Sequence, residues 1–262
     1  SAASDVYKRQ TQDTMIAVYN DLNSVEQLLV ESKDQVAAVI VEPVGANMGV
    51  VPPKEGFLQG LRDLCDKHGA LLIFDEVITG FRLSFAGAAG YFGITPDLVT
   101  YGKIIGAGMP VGAYGGRKEI MEMVAPAGPV YQAGTLSGNP IAMAAGLVQL
   151  KILWDDQDIY KRLHQKGELL FDGIRNIFRE KNVPYQVNSV SSLGCIFFAK
   201  EPVTDYASAK ASDTKAFSDY FQYMLNHGVH MAPSQFEAMF LSDAHTETDI
   251  QDCLLYTSPS PR

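Results

Sequence analysis

Two short apolar runs separated by an amphipathic helix constrain this chain more than any other feature. Val36-Ala37-Ala38-Val39-Ile40-Val41 is continuous and β-branched, and Glu42-Pro43 closes it. Such a run suits a strand buried on both faces, and the proline cannot extend its ladder. Gly56 to Gly69 follows, with Phe57, Leu58, Leu61, Leu64 and Cys65 on one helical face. Lys67 and His68 suit the last turn of that helix and Gly69 its stop. The second run, Ala70-Leu71-Leu72-Ile73-Phe74, ends in Asp75-Glu76-Val77. Strand, helix, strand is a βαβ unit, which predicts a parallel sheet.

A further strand, Leu98 to Tyr101, ends at Gly102-Lys103. In open α/β sheets ligands sit outside the carboxyl ends of the strands. Three such ends here carry Glu42, Asp75 and Lys103. Side chains alternate along a strand, so Asp75 and Val77 share a face and Glu76 points away. A lysine and a carboxylate at one sheet edge suit a Schiff-base lysine under a pyridine ring whose nitrogen a carboxylate keeps protonated. Taken singly, Asp75 equally suits a solvated or ion-paired strand end, and Lys103 a surface charge. The glycine-rich stretch from Gly106 to Gly116 matches no dinucleotide fingerprint, because Val111 stands where glycine or alanine is needed. Gly102-Lys103 is followed by Ile104, so it completes no phosphate loop either.

Asn23 or Ser24 is expected to cap an early helix. Asn139-Pro140 opens a long helix from Ile141 to about Trp154, after a Gly/Pro/Ser-rich loop from Ala125 to Gly138. The composition changes near Asp155. A polar helix from Ile159 to Glu180 is followed by expected strands at Tyr185–Val190, Leu193–Ala199, around Val229–Met231 and at Phe236–Ser242. A helix from Lys215 to Asn226 lies among them, and Thr246-Glu247-Thr248-Asp249 reads as a capping box for a last helix that stops near Asp252. His227 and His230 flank a glycine turn and carry no metal signal.

A net charge of −9 over 262 residues argues against a nucleic-acid or anionic-membrane surface. No run is long enough to span a bilayer, and no signal peptide opens the chain. Cys65, Cys195 and Cys253 have no metal or redox spacing, so a reducing, cytoplasmic compartment is expected. The two ends read as foreign. Asp5 to Gln10 and Cys253 to Ser258 can be encoded by one DNA element in opposite orientations, and that element resembles the end sequence used in transposon-based library preparation. The expected organisation is a tail over 1–10, a partial cofactor domain over 11–154, a small C-terminal domain over 155–252 and a tail over 253–262.

Three segments decide the chemistry: Ile73 to Arg82, Gly102 to Ala113, and Tyr131 to Pro140. Together they resemble the class III pyridoxal-phosphate aminotransferases of fold type I. Gly134 to Gly146, Glu42 to Met48 and Ala232 to Ala238 resemble in particular the branch that isomerises glutamate 1-semialdehyde. The resemblance covers nearly all of the chain between its two ends. It implies an α/β fold: a partial, mostly parallel sheet with helices on both faces, plus a small α+β C-terminal domain. It implies pyridoxal 5'-phosphate, cycling through pyridoxamine 5'-phosphate, and intramolecular amino transfer giving 5-aminolevulinate, a tetrapyrrole precursor.

The resemblance also implies residue roles. Lys103 forms the Schiff base and shuttles protons, Asp75 pairs with the pyridinium nitrogen, and Val77 packs on the ring. Asn47 lies near the phenolic oxygen. Gly134 and Thr135 reach the phosphate of the neighbouring subunit of a homodimer. Glu237 lies near the substrate, and no metal is required. A diamine intermediate must be retained, which makes the loop from Ala125 to Gly138 the candidate lid. The family's phosphate turn and stacking aromatic precede Thr11 and are missing. A related aminotransferase with a separate amino donor, and a catalytically incompetent fragment, remain the alternatives.

Overall fold

The computed structural model describes residues 13–33 and 35–257. The expected tail over 1–10 and the last residues of the other tail, 258–262, lie outside the described residues.

Helix α1 (Leu22–Glu31) precedes β1 (Ala38–Val41). Its cap is Asp21, whose side chain accepts from the backbone N–H of Asn23 and Ser24, so the start lies slightly upstream of the expected Asn23 or Ser24. Helix α2 (Phe57–His68) buries Phe57, Leu58, Leu61 and Cys65. It ends at Gly69 in the left-handed conformation, as the sequence predicts. Strand β2 (Leu71–Asp75), helix α3 (Gly87–Phe92), strand β3 (Leu98–Tyr101), a 3-10 turn (Lys103–Gly106) and strand β4 (Ala113–Gly116) follow.

The sheet order is β1-β2-β3-β4. The first three strands run parallel, and β4 returns antiparallel to β3. Strand β4 lies inside the glycine-rich stretch, where no apolar pattern announces it. Register places Val39 beside Leu72, Val41 beside Phe74, and Phe74 beside Val99. These side chains form one core with α1 and α2, in which Leu72 and Phe74 are fully buried. Burying each contributes roughly 1.5–3 kcal/mol.

The remaining helices are α4 (Lys118–Met121), α5 (Pro140–Asp155), α6 (Ile159–Glu180), α7 (Tyr206–Lys210), α8 (Thr214–Asn226) and α9 (Glu247–Thr257). A second sheet orders β5 (Gln186–Val190), β6 (Leu193–Phe197) and β7 (Met239–Phe240), all antiparallel. The expected strand around Val229–Met231 is irregular chain, and that expected over Phe236–Ser242 is reduced to two residues. Met231 is buried in a cluster with Phe217 and Met224, so its apolarity serves packing rather than a ladder.

The capping box forms at α9: Thr246 N–H donates to Asp249 Oδ2 at 2.7 Å, and Asp249 N–H donates to Thr246 Oγ1 at 3.2 Å. The helix does not stop near Asp252 but runs to Thr257. Cys253 and Leu254 pack against the core of α6, and Tyr220 and Thr257 hydroxyls lie 2.9 Å apart. Tertiary contact carries a helix further than its own sequence pattern indicates.

One core cluster joins the two halves of the chain. Val44, Val50, Val51 and Ile78 pack in it with Leu193, Cys195, Phe197 and Ala238. Gly49, at φ +77°, lets the chain after β1 pass over Phe197: a Cβ there would lie 2.4 Å from the ring. Among the described residues no helix is long and apolar enough to cross a membrane.

Candidate functional site

The carboxyl ends of β2 and β3 are adjacent, because Asp75 is in register with Thr100. Asp75 Oδ1 accepts from the Val77 N–H at 3.0 Å and from the Thr100 hydroxyl at 3.4 Å. Oδ2 has no protein donor among the described residues. Lys103 starts the 3-10 turn three residues beyond Thr100, in the left-handed region at φ +48°. Backbone strain at a non-glycine residue is stored where the surroundings hold it. Its side chain is exposed and makes no hydrogen bond or ion pair among the described residues. Gly102 is buried beside Val77: a Cβ on it would come within 3.2 Å of Val77 Cγ1. Among the described residues a lysine amine and a carboxylate oxygen without partners therefore stand at neighbouring strand ends, with Val77 beside Gly102.

Glu76 does point away from that edge, and its destination was not legible in the sequence. It is fully buried, with Oε2 accepting from Ala88 N–H at 2.6 Å and the Thr79 hydroxyl at 3.1 Å. Oε1 accepts from Ala89 N–H at 2.9 Å. Burial raises its carboxyl pKa, and the bonds from Ala89, Ala88 and Thr79 offset part of that rise. Gly87, at φ +66°, admits the carboxylate, since a Cβ would lie 2.2 Å from Oε2. Glu76 thus ties the chain following Asp75 and Val77 to the start of α3. A Glu next to the candidate Asp and a glycine eleven residues on are the signals that could have marked it.

Asn47 is exposed and fixed by Glu42, whose Oε1 accepts from the Asn47 side-chain amide at 2.8 Å. Glu42 Oε2 accepts from Ala46 N–H at 2.9 Å. Glu237 is also exposed, and its neighbour Phe236 accepts from Gly49 N–H at 2.8 Å. The segments carrying Asn47 and Glu237 therefore meet along the seam between the two halves of the chain. Arg82 crosses the same seam, with its guanidinium 4.4 Å from the Phe240 ring centroid. Burial pushes its pKa down to about 10, and its Nε has no partner.

Gly134 and Thr135 lie on the exposed loop before α5, where Gly134 accepts from Ser137 N–H at 2.9 Å. Among the described residues no hydrogen bond joins them to Lys103. The connection is indirect: α5 rests on the Lys103 turn at Gly146, where a Cβ would lie 2.3 Å from the Ile105 carbonyl oxygen. Among the described residues no group of histidine, cysteine and carboxylate side chains could hold a metal ion.

The model of the family "Aminotransferase class-III" matches residues 2–254. The chain belongs to the class III aminotransferases. It is 63% identical over 244 residues to "Glutamate-1-semialdehyde 2,1-aminomutase 2" of Lachnoclostridium phytofermentans, covering 93% of this chain and 57% of that protein. It is 64% identical over 249 residues to the aminomutase 1 of the same organism, covering 95% and 58% respectively. The chain thus spans a little over half the length of these curated relatives. Among solved structures, a β-phenylalanine aminotransferase from Variovorax paradoxus superposes with a TM-score of 0.86 at 32% identity, covering 92% of this chain and 55% of that one. A glutamate-1-semialdehyde aminomutase from Pseudomonas aeruginosa, solved with PMP, gives 0.84 at 27% identity, covering 94% and 55%. The α/β class read from the βαβ unit is that of these fold type I neighbours.

Proposed function

We propose that the protein carrying this chain is a pyridoxal-phosphate enzyme that converts glutamate 1-semialdehyde to 5-aminolevulinate by intramolecular amino transfer. The observation that carries the chemistry is the unpaired Asp75 Oδ2 and Lys103 side chain at neighbouring strand ends. The substrate rests on the aminomutases that are about 60% identical to it. The residues present fit pyridoxal phosphate: an unpaired amine, a carboxylate with one oxygen held by the protein and one available, and a valine against a glycine too close to admit a Cβ.

When bound, the pyridine ring supplies an electron sink for the carbon that loses its proton. Lys103 would hold the cofactor through Nζ, and its free amine would carry protons on and off the substrate. Asp75 Oδ2 would hold the ring nitrogen, while Val77 N–H and Thr100 hydroxyl fix the carboxylate through Oδ1. Val77 would pack on the ring. Asn47, held by Glu42, would serve the phenolic oxygen, and Glu237 the substrate. Gly134 and Thr135 serve the phosphate of a second subunit, which accounts for their having no role within one chain, and makes the working unit a homodimer. The loop from Ala125 to Gly138 acts as the lid that retains the intermediate. A cytoplasmic setting suits the three free cysteines. Residues 11–154 and 155–252 are read as a partial cofactor domain and a small C-terminal domain.

The test has two parts. The chain is incubated with pyridoxal phosphate and borohydride, and the modified peptide is located; a label on Lys103 that Lys103→Ala abolishes is expected. Next, 5-aminolevulinate formation from the semialdehyde is measured without any amino donor. Product that appears only when a donor is added favours instead a related aminotransferase, the reading that the 32% identity to the β-phenylalanine enzyme supports. Label on another lysine sinks the proposed site. Label on Lys103 without product under either condition identifies an incompetent fragment.

A further inference from the structure

The apolar stretch from Phe236 to Ser242 suits a strand, yet only Met239 and Phe240 pair with β6. Leu193 lies opposite Phe240, and Gly194 opposite Met239. The same register carried further would set Cys195 opposite Ala238 and Ile196 opposite Glu237. Residues opposite one another on antiparallel strands share a face, and the face alternates along each strand. Ile196, Met239 and Leu241 all belong to the core under α6. A paired Glu237 would therefore carry its carboxylate into that core, away from the seam, and desolvate it without a partner.

The chain leaves the ladder instead and turns at Ser234 to Glu237. Glu237 N–H donates to the Ser234 carbonyl at 3.1 Å, and Phe236 N–H donates to Ser234 Oγ at 3.2 Å. The Ile196 carbonyl accepts from the side chain of Gln235, at 2.6 Å from Nε2. Gln235 is 3% exposed, and its backbone carbonyl accepts from the Cys195 thiol at 3.5 Å. Its Oε1 has no partner among the described residues, so the donor half of the amide is the half the fold uses. On the other side of the turn, the Phe236 carbonyl accepts from Gly49 N–H at 2.8 Å. Gly49 is two residues beyond Asn47, and Phe236 is one before Glu237. The turn thus hangs between two bonds, one to β6 and one to the segment that carries Asn47.

We infer that Gln235 is a positioning residue for Glu237. Its side-chain amide takes the place at the Ile196 carbonyl that a longer β7 would fill. It thereby holds Glu237 out of the core under α6 and on the seam that also carries Asn47. The benefit to the reaction rests on the reading of Glu237 as a substrate-facing residue; the position of the turn does not.

Gln235→Leu keeps the volume and removes the donor. Hydrogen exchange of the whole chain is read at two amides. Gly49 reports the turn, and Leu241, which donates to the Ser192 carbonyl at 2.9 Å, reports the ladder beside it. Protection at Gly49 is expected to fall at least about tenfold, with Leu241 staying within about twofold of the unsubstituted chain. Gln235→Glu adds a pH signature. Its protonated carboxyl can donate to the Ile196 carbonyl and its carboxylate cannot. Gly49 protection in that variant is expected to be low at neutral pH and to recover in mild acid, with no such recovery in the unsubstituted chain. Unchanged Gly49 protection in Gln235→Leu overturns the inference, as does a Gln235→Glu chain that acid does not restore. Equal losses at Gly49 and Leu241 also overturn it, because Gln235 would then hold the core as a whole. Gln235→Met is read in the same way if the leucine variant unfolds. The reading of Glu237 fails separately: Glu237→Gln, in the protein carrying this chain, would then turn over the semialdehyde with unchanged kcat and KM while Gly49 stays protected.

Discussion

The two ends of strands β2 and β3 treat charge in opposite ways. At the amino end, Asp97 is 6% exposed and saturated. Its Oδ2 accepts from Leu72 N–H at 2.7 Å and from Arg62 at 2.8 Å, and its Oδ1 accepts from Arg117 at 2.9 Å. Burial alone would raise its pKa, but the Leu72 N–H and the guanidiniums of Arg117 and Arg62 outweigh this and hold the carboxyl below its ordinary value. At the carboxyl end, Asp75 keeps an oxygen without a donor and Lys103 has no partner among the described residues. Both ends hold a carboxylate of the same sheet, one closing β2 and the other preceding β3. The protein completes the bonding of the one that builds the fold and leaves incomplete the one that can meet a ligand.

Removing the saturated carboxylate is expected to have the largest effect. Asp97→Ala leaves the Leu72 N–H without its acceptor and takes from the half-buried Arg62 one of its two carboxylates, the other being Asp66, and is expected to cost about 3 kcal/mol of unfolding free energy in urea, the low end for a broken buried pair. If it costs no more than a surface substitution, the contrast between the two ends fails. The sign of its pH dependence follows from the lowered pKa. Stability from Asp97 is fully present above the ordinary carboxylate pKa and is lost as pH falls through the depressed native value. The stability gap between the protein and Asp97→Asn should therefore narrow in acid, and a gap that widens contradicts the assignment.

Glu76→Gln comes next, at about 1–3 kcal/mol, because an amide NH2 must then face one of the two backbone donors at α3. The same denaturation curves measure it, and an unchanged midpoint would show that α3 is not anchored there. At the incomplete end the sign reverses. Lys103→Gly relieves a left-handed backbone and is expected to stabilise the protein by about 1 kcal/mol while abolishing the borohydride-fixed label. A loss of stability would mean that the lysine is structural after all. Arg117→Ala is expected to have the smallest effect, no larger than an ordinary surface substitution, since this exposed partner leaves Asp97 still bonded to Arg62. A cost comparable to that of Asp97→Ala would move the centre of the network to Arg117.

Much of the fold was legible because its local signals agree. The apolar runs ending at Val41, Phe74 and Tyr101 became strands within two residues of expectation, and Gly69 ended its helix. The failures have physical causes. Strand β4 is glycine-rich and shows no alternation, so only its pairing with β3 defines it. The run around Val229 is apolar because Met231 fills a helix-lined cluster. Helix α9 outruns its pattern because Cys253 and Leu254 find a core to join.

The site divides in the same way. Alternation along β2 placed Asp75 and Val77 together and sent Glu76 elsewhere, and strand order put Lys103 near them. Residue types and strand ends sufficed for that, since a pleat has period two and parallel strands share their carboxyl edge. What Glu76 binds, how Glu42 holds Asn47, and that Glu237 reaches the same seam were decided only by tertiary structure. Each depends on a contact between segments far apart in sequence or on a backbone turn such as Gly87, and no periodicity encodes the distance between two loops.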